Sequence, residues 1–556
     1  MANLNKLSHG PNPVPATTAS PRILSSSHFT MSEDLKNASE DLRSALGRYL
    51  VVCSNIRACH GKNRLSDSSS RKLNDQIQKE VDCFYQYESQ LQDVKHALRV
   101  TRNSVRSITP ISALPPDTLV HIFHLIHYFR TCTVKYLAQV CSQWRSVCLS
   151  CCSLWTQINY HPRGDVMLQP RLLNQVKTYL YRAGQRPLRI SIRMGDFPDE
   201  WYNSKTRILF KSCAARMQAL ELEVLPLQQD EPTIRLKDIQ LKFLETLLSN
   251  STPGVLTELV TVIPHSSRRG PRHHSHTQRF LDLTTKRANV LIEYVSVLDL
   301  HGLFLSWKST VYHNLVDLRL APELDSPHVI TEARLVSILV MSPHLRTFHF
   351  GMKLARSPTE TSVESNSQVP VNLVDLETLR IFCHSHDLYN AHDKAERLLP
   401  LLAPGKKPLR VFLEGGSIAV FAKPITVEQT RAFFERSNVI ELHARHHLLP
   451  LKLLSSAIMR NLELLVLEDC VARSFPWPVE DISPVLSSRP FIQTLQMNQC
   501  TIPLAELQSS LQRFRVEQLL LCQNTFALDS EPASEERIRA DLSAVCANIV
   551  FGNTPE

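Results

Sequence analysis

The chain has 556 residues, of which 43% are hydrophobic and 21% charged, so it can bury a large core and is not a disordered protein. Glycine is scarce, at 14 residues, which argues against a collagen-like chain and against sites built on Gly-rich phosphate loops. The net charge of +9 permits acidic partners without requiring nucleic acid. At roughly 150 residues per domain, the length allows about three or four domains.

The sequence predicts neither a signal peptide nor a membrane span, because no run approaches the ~18 apolar residues of a spanning helix. We therefore expect an intracellular protein, in the cytoplasm, the nucleus or both, without a membrane partner. The 14 cysteines are spread through the chain and are expected to be reduced. The Cys-x-x-Cys pair Cys148 and Cys151 has no second ligand pair at comparable spacing, so we predict no metal site and no cofactor.

The N-terminal part divides into a leader and two helical stretches. Residues 1–31 are rich in Pro, Ser and Thr and are predicted to be disordered, and Met31 is an alternative start. Residues 32–108 carry apolar heptads, which must pack on another helix. Their main seam positions are Leu35, Leu42, Tyr49 and Ile56, then Ile77, Phe84, Leu91, Leu98 and Val105. Both a hairpin and self-association through residues 32–108 as a dimeric coiled coil remain open.

Residues 110–160 predict a compact helical unit. Prolines and Asp117 begin its first helix. The apolar faces of its two helices carry Leu119, Ile122, Phe123 and Ile126, then Leu137, Val140, Cys141, Trp144 and Val147. A unit of this size cannot bury these side chains alone, so it needs a neighbour to cover them.

The segment from Leu114 to Trp155 resembles an F-box. The resemblance rests on Leu-Pro-Pro-Asp at 114–117, on the apolar helix faces and on the closing Leu154-Trp155. The stretch YLYRAGQRPL at 179–188 is similar to the segment that follows the F-box in many mushroom-forming fungi, which indicates a fungal-type F-box protein. Two departures are Asp117, where Glu is commoner, and three histidines on the first helix that we expect to face solvent, His121, His124 and His127.

The resemblance implies a function without catalysis. F-box proteins bind a Skp-type adaptor, which tethers them to a cullin scaffold, and they present a protein substrate for ubiquitination by a separate component. This chain would then be the substrate-recognition subunit of such a ligase. The residues that the resemblance assigns to the adaptor interface or its scaffolding are Leu114, Pro115, Leu119, Ile122, Phe123, Ile126, Leu137, Val140 and Trp144.

After a linker or transition at residues 161–214, residues 215–556 repeat the pattern apolar-x-x-apolar-x-apolar, in copies that start 20 to 32 residues apart. This spacing brackets the leucine-rich-repeat period and predicts a divergent α/β solenoid. The copies are Val295/Leu298/Leu300, Leu315/Leu318/Leu320, Leu345/Phe348/Phe350, Leu376/Leu379/Ile381, Pro408/Val411/Leu413, Val439/Leu442, Leu462/Leu465/Leu467, Ile492/Leu495/Met497 and Val516/Leu519/Leu521. Three late copies are followed by Cys470, Cys500 and Asn524, whose side chains are expected to fill or hydrogen-bond the turn between coils.

Alternation along these strands predicts an outward face, basic in its earlier part and more neutral later. We expect it to bind the protein substrate, through Arg319, His349, Arg380, His443, Glu468 and Gln496.

Two loops interrupt the repeats, at 264–279 and 356–370. The first is rich in Arg and His but has no aromatic residues to stack bases, so a solvated loop is favoured over a nucleic-acid arm. The second is predicted to be flexible.

The sequence contains no catalytic or phosphate-binding signature of the kind G-x-x-x-x-G-K-[ST], G-x-S-x-G or H-E-x-x-H, and we predict that the protein is not an enzyme. The competing hypothesis is an interaction scaffold without a ligase, in which the F-box-like unit packs in cis on the first repeat and the heptads drive self-association.

Overall fold

The structure is a computed structural model. It describes residues 25–60, 67–104, 110–129, 133–162, 166–195, 197–225, 238–263, 280–281, 290–322, 329–355, 369–382, 391–415, 427–445, 461–470, 491–513, 515–528, 531–532 and 534–552. The loop at 264–279 and most of the loop at 356–370 lie outside these residues, as do residues 1–24 of the predicted leader.

The chain forms two compact units, residues 1–114 and 115–556. The first contains α1 (Ser25–His60), α2 (Asp67–Ser104) and a 3₁₀ turn at Pro110–Ala113. Helix α1 therefore begins before the predicted end of the leader at residue 31.

Helices α1 and α2 contact each other within one chain. The Tyr49 hydroxyl donates to Glu80 Oε2 at 2.9 Å, and the rings of Tyr49 and Phe84 meet edge to face at 5.6 Å. The hydrogen bond to Glu80 raises the pKa of Tyr49 to about 12. The contact lies at similar distances along both helices from their connection, so they form an antiparallel hairpin, the first of the two arrangements considered for residues 32–108.

The second unit combines helices with one large sheet. Its α-helices are α3 (Pro116–Phe129), α4 (Thr133–Val140), α5 (Ser142–Ser150), α6 (Gln169–Ala183), α7 (Ser204–Ala214), α8 (Asp238–Ser249), α9 (Glu332–Val340), α10 (Ala391–Leu398), α11 (Val427–Arg436), α12 (Leu504–Arg513) and α13 (Glu535–Leu542). Local capping explains several starts: the side chains of Asn203, Thr331 and Ser534 accept hydrogen bonds from backbone N–H groups in the first turns of α7, α9 and α13.

The strands of the main sheet are β1 (Gln157–Tyr160), β2 (Leu188–Met194), β3 (Met217–Val224), β4 (Glu258–Val262), β6 (Val297–His301), β8 (Asp317–Ala321), β10 (Thr347–Phe350), β13 (Thr378–Phe382), β15 (Leu409–Glu414), β16 (Val439–Arg445), β17 (Leu464–Glu468), β18 (Phe491–Asn498), β20 (Arg515–Cys522) and β23 (Asn548–Gly552). Short strands outside it are β5 (Phe280–Leu281), β7 (Phe304–Leu305), β9 (Val329–Thr331), β11 (Lys353–Ala355), β12 (Val371–Leu373), β14 (Leu402–Pro404), β19 (Thr501–Pro503), β21 (Thr525–Leu528) and β22 (Glu531–Pro532).

Within the described residues, the main sheet has 14 strands, all parallel and following one another across the sheet in chain order. Successive crossovers of one hand put the connecting segments on one side of the sheet and leave the other side open. The prediction of a mixed α/β chain is confirmed at this level, with N-terminal helices followed by a large parallel sheet.

The predicted repeat copies form neighbouring strands in a common register. Leu298 pairs with Leu318, Leu318 with Phe348, and Phe348 with Leu379. The same ladder continues through Val411, Leu442, Leu465, Leu495 and Leu519. All of these side chains are buried, so the second apolar position of each copy builds one continuous core.

The sheet begins earlier than the repeat pattern predicted. Residues 161–214, assigned to a linker or transition, contain α6, β2 and α7, and β2 pairs with both β1 and β3. In this early part of the sheet the pattern is weak, because Pro187, just before β2, and Thr261, in β4, stand where the pattern has apolar residues. It was nevertheless visible in β1, as Trp155/Ile158/Tyr160, and in β3, as Met217/Leu220/Leu222.

The turns after β17, β18 and β20 share one construction. Each begins with a residue of left-handed backbone, at φ 52°: Asp469, Gln499 and Gln523. The residues that follow are Cys470, Cys500 and Asn524. The Asn524 side chain accepts from the backbone N–H of Cys500 at 2.8 Å and donates to the Met497 carbonyl at 2.8 Å, and the Cys500 thiol donates to the Leu467 carbonyl at 3.4 Å. The side chains of Cys500 and Asn524 thus hydrogen-bond each turn to the strand before it, as predicted for these positions.

We expect Gly405→Ala to destabilise the sheet unit by about 1–3 kcal/mol, because a Cβ there would lie 2.5 Å from the Val374 carbonyl oxygen and 2.8 Å from its Cα. Backbone atoms cannot rotate away, so the segments around Gly405 and Val374 must move apart. The free energy of unfolding in urea measures the loss. Gly47→Ala is the matched control, since nothing lies within 4 Å of Gly47 in α1, and equal losses in both variants would contradict the explanation.

Candidate functional site

The helical unit α3–α5 has a small core of its own. Leu119 and Phe123 from α3 are buried with Leu137 from α4, and the ring of Phe123 packs 4.9 Å from that of Trp144 in α5. Helix α5 starts at a cysteine cap, where Cys141 Sγ accepts from the Trp144 N–H at 3.4 Å. The helices are therefore fixed by contacts within the unit.

The structure divides the predicted adaptor residues by burial. Leu119, Phe123 and Leu137 are buried and form the scaffold, whereas Leu114, Ile122 and Trp144 are half-buried. Those that solvent reaches freely are Pro115, Ile126 and Val140, the last two with exposed fractions of 36% and 60%.

Three further apolar side chains of the helical unit are exposed, and the sequence analysis did not select them: Leu125, Tyr136 and Leu149. Leu125 precedes Ile126 and Tyr136 precedes Leu137, so these two lie next to residues that the apolar faces of the helices did identify. A helix of this length needs only a narrow apolar stripe to pack on the core. An apolar stripe wider than that is the sequence signal that would have identified these exposed side chains.

The histidines and cysteines of the unit form local hydrogen bonds. His124 Nε2 lies 2.9 Å from Ser153 Oγ, and Cys151 Sγ lies 3.1 Å from the same oxygen. His124 is half-buried, and burial followed by the charge of His121 lowers its pKa, so the expectation that it faces solvent is wrong. His121 is exposed, as expected, and the side chain of His127 lies outside the described residues.

The unit joins the sheet through Trp155. Its indole N–H donates to the Cys148 carbonyl at 2.7 Å, while its ring meets Tyr179 of α6 edge to face at 4.9 Å. The Arg182 guanidinium stacks over the same ring at 4.3 Å. Since Trp155 is 2% exposed, this joint fixes α3–α5 against the first strand and helix of the sheet.

The open side of the sheet carries the predicted substrate-binding residues. Arg319, His349, Arg380, His443 and Gln496 align across β8, β10, β13, β16 and β18 in one row. Glu468 lies at the end of β17, in the next row, where it faces Arg445 at 3.7 Å. The structure therefore brings the six predicted residues to one face, spread over many strands.

The arginines of this face are paired with acids, so its earlier part is not basic as predicted. Arg319 Nη2 lies 2.7 Å from Asp317 Oδ2, and its Nη1 lies 3.6 Å from Asp299. Arg380 Nη2 lies 2.8 Å from Glu414. Asp299 was not among the predicted residues, although it lies between the buried Leu298 and Leu300 and the same alternation places it outward.

Farther along the row that contains His349, an aromatic contact and then uncharged side chains follow, while ion pairs such as Arg410–Glu441 continue beside the row. The rings of Phe412 and His443 stack at 4.4 Å, and His443 Nε2 lies 2.6 Å from Glu441 Oε1. Beyond β17, the same row continues with Gln496 and Leu520. The prediction of a more neutral later part agrees with this arrangement.

His349 is held neutral between two arginines. Burial, followed by the neighbouring charges of Arg319 and Arg380, lowers the pKa of His349 to about 4. The negative charge of Asp299 acts against this and raises the pKa of His349. An imidazole that stays neutral at neutral pH can donate one hydrogen bond and accept another on this face.

We expect His349 to make the stability of the second unit, residues 115–556, fall in acid. Its pKa is about 6.5 when unfolded and about 4 when folded, so the unfolded state binds the proton first and stability falls as the pH drops between these values. After allowance for solvent screening, the loss from pH ~7.5 to ~5 is about 1 kcal/mol. Urea unfolding at both pH values should show a smaller loss for His349→Gln, and parallel behaviour of variant and parent would refute this account.

Within the described residues, no group of three or more His, Cys, Asp or Glu side chains is arranged to hold a metal ion. Among the same residues, no helix is both long and apolar enough to cross a membrane.

Comparison with known proteins identifies the helical unit. A family model described as F-box-like matches residues 111–161, which coincides with the predicted segment to within a residue at each end. No curated protein matches the chain. The segment is an F-box-like domain, which supports an F-box protein.

Proposed function

We propose that this protein is the substrate-recognition subunit of an SCF-type ubiquitin ligase. Its F-box-like domain binds a Skp-type adaptor that tethers it to a cullin scaffold, and the open face of the sheet binds a protein substrate. The protein catalyses no step itself. It raises the effective concentration of the substrate near a separate catalytic component. Its place is inside the cell, in the cytoplasm, the nucleus or both.

The observation that carries this proposal is an unburied apolar surface at one end of a rigidly held domain. Trp155 anchors the helical unit to the sheet, yet Ile126 and Val140 remain exposed. Apolar side chains that neither the unit nor the sheet covers are typical of a binding surface.

The sheet supports a leucine-rich-repeat solenoid. Parallel strands follow one another in chain order, an apolar ladder runs through the predicted copies, and Asn524 bonds to the coil before it. These are the features by which a repeat protein stacks its units. A solenoid of this kind offers the long open face that the proposed substrate needs.

The scaffold hypothesis has one observation in its favour, because the helical unit does pack in cis through Trp155. That contact involves the end of the unit, however, and leaves the exposed side chains of α3 and α4 unexplained. Binding to the adaptor discriminates between the two functions.

The test is co-purification of the full chain with a Skp-type adaptor, followed by addition of a cullin scaffold. A complex of all three proteins is the expected result. A folded chain that binds no Skp-type adaptor would overturn the ligase proposal and leave the scaffold hypothesis.

A further inference from the structure

One stripe of α2 remains exposed although the helix contacts α1. The stripe consists of Tyr87, Leu91, Val94 and Leu98, which are spaced four, three and four residues apart and exposed by 46%, 45%, 53% and 46%. The α1 contact described above involves Glu80 and Phe84, toward the other half of the helix. A shallow, open depression of about 300 Å³ follows the same stripe and is lined by Leu91, Val94 and Leu98 together with Lys95, Arg99 and Arg102.

The stripe is complementary to itself in one orientation. When two copies of α2 run antiparallel with Leu91 opposite Val94 of the second copy, Tyr87 falls opposite Leu98 of that copy. The two-fold axis of the dimer generates each of these two layers, Leu91–Val94 and Tyr87–Leu98, a second time. Four consecutive layers of apolar side chains therefore meet without a polar residue between them, as the core of an antiparallel coiled coil requires.

The flanking charges agree with the same alignment. Glu88 follows Tyr87, and Lys95 follows Val94, so both lie on one border of the stripe. In the antiparallel pair, Glu88 faces Lys95 of the second copy, and symmetry forms this ion pair twice. In a parallel pair, Glu88 would face Cys83 and Lys95 would face Gln90, which offers no opposite charge.

We propose that the protein forms a two-fold dimer in which the stripes of α2 from two copies pair antiparallel. The partner is a second copy of this chain. The stripe of one copy provides the apolar side chains that pack on the other stripe, and Glu88 and Lys95 at its border provide the opposite charges that pair between the copies. The dimer does not depend on the proposed ligase function. Each dimer carries two F-box-like domains and two open sheet faces, so a substrate with two binding segments would gain avidity.

The test is sedimentation velocity of the full chain over a concentration series. The parent should sediment as a species of twice 63.2 kDa. Leu91→Glu should yield monomers, and since Leu91 is exposed in the single chain, the helix should keep its circular dichroism. Glu88→Lys and Lys95→Glu should each weaken dimerisation by about tenfold, because each replaces two attractions by two repulsions. The double variant Glu88→Lys/Lys95→Glu should restore it.

Asp93→Lys is the matched control, since it makes the same charge change on α2 away from the stripe, and it should leave dimerisation unchanged. A parent that stays monomeric, or a dimer that survives Leu91→Glu, would overturn the proposal. A dimer that is lost with Leu91→Glu but indifferent to the charge reversals would overturn the antiparallel alignment. Adaptor binding should be equal in all these variants, so failure of the dimer and failure of the proposed function remain distinguishable.

Discussion

Placing aspartate at both Ile126 and Val140 is expected to weaken binding of a Skp-type adaptor by at least about 100-fold while leaving the fold intact. Both side chains are exposed, Ile126 by 36% and Val140 by 60%, and neither belongs to the buried core, so the change removes little core packing. At a buried interface, each aspartate would lose an apolar contact and place an unpaired carboxylate against the partner. Titration of the purified chain with adaptor, by calorimetry, measures the dissociation constant.

Ile208→Asp is the matched control for this double variant. Ile208 is 68% exposed on α7, outside the F-box-like domain, and the substitution makes the same chemical change. It should bind adaptor like the parent. Retained binding by the Ile126→Asp/Val140→Asp variant, or equal loss in the control, would show that the exposed surface is not the adaptor site.

The burial of Leu119 and Phe123 decides how adaptor binding can be tested. Both are fully buried, so truncating either to alanine would cost about 2–5 kcal/mol of stability and would abolish binding through unfolding. The resemblance assigned them to the interface or its scaffolding together with Ile126 and Val140. Only the structure separates the side chains that hold the domain together from those that a partner can reach.

The position of the F-box-like domain could be predicted from sequence because its signal is local. Leu-Pro-Pro-Asp starts a helix, the apolar residues follow at helical spacing, and Leu154-Trp155 closes the unit within one short stretch. The role of Trp155 as the joint to the sheet could not be predicted, since its partners Tyr179 and Arg182 lie on another helix.

The strands from β6 onward could be predicted because their spacing repeats, and the common register follows from stacking the same pattern. Ion pairing on the open face could not be predicted in the same way. Whether Arg380 presents a free charge, for example, depends on Glu414, which lies on the neighbouring strand but 34 positions later in the chain. Alternation tells which side a residue faces, whereas its charge environment depends on the register between strands.

Trp155→Ala is expected to free the F-box-like domain from the sheet. The substitution removes a fully packed indole with its hydrogen bond to Cys148, its contact with Tyr179 and its stacking on Arg182. Loss of a buried tryptophan costs about 3–5 kcal/mol. Because these contacts bridge α5 and α6, the loss should appear as earlier opening of α3–α5 rather than of the distant strands. Hydrogen exchange of backbone amides, compared between α3–α5 and β15–β20, measures the two regions separately.

Trp155→Phe and Arg182→Leu separate the components of this joint. The phenylalanine keeps much of the packing but leaves the Cys148 carbonyl without the indole donor, so a loss of about 1–2 kcal/mol is expected. Removing the guanidinium alone should cost less, about 0.5–1 kcal/mol, because the stacked cation is half-exposed. Uniform acceleration of exchange across the whole sheet in Trp155→Ala would contradict a joint that acts locally.

In the proposed ligase, a domain released in this way would still bind the adaptor but would no longer hold the open face at a fixed position relative to it. Substrate ubiquitination should therefore fall further than adaptor binding in Trp155→Ala.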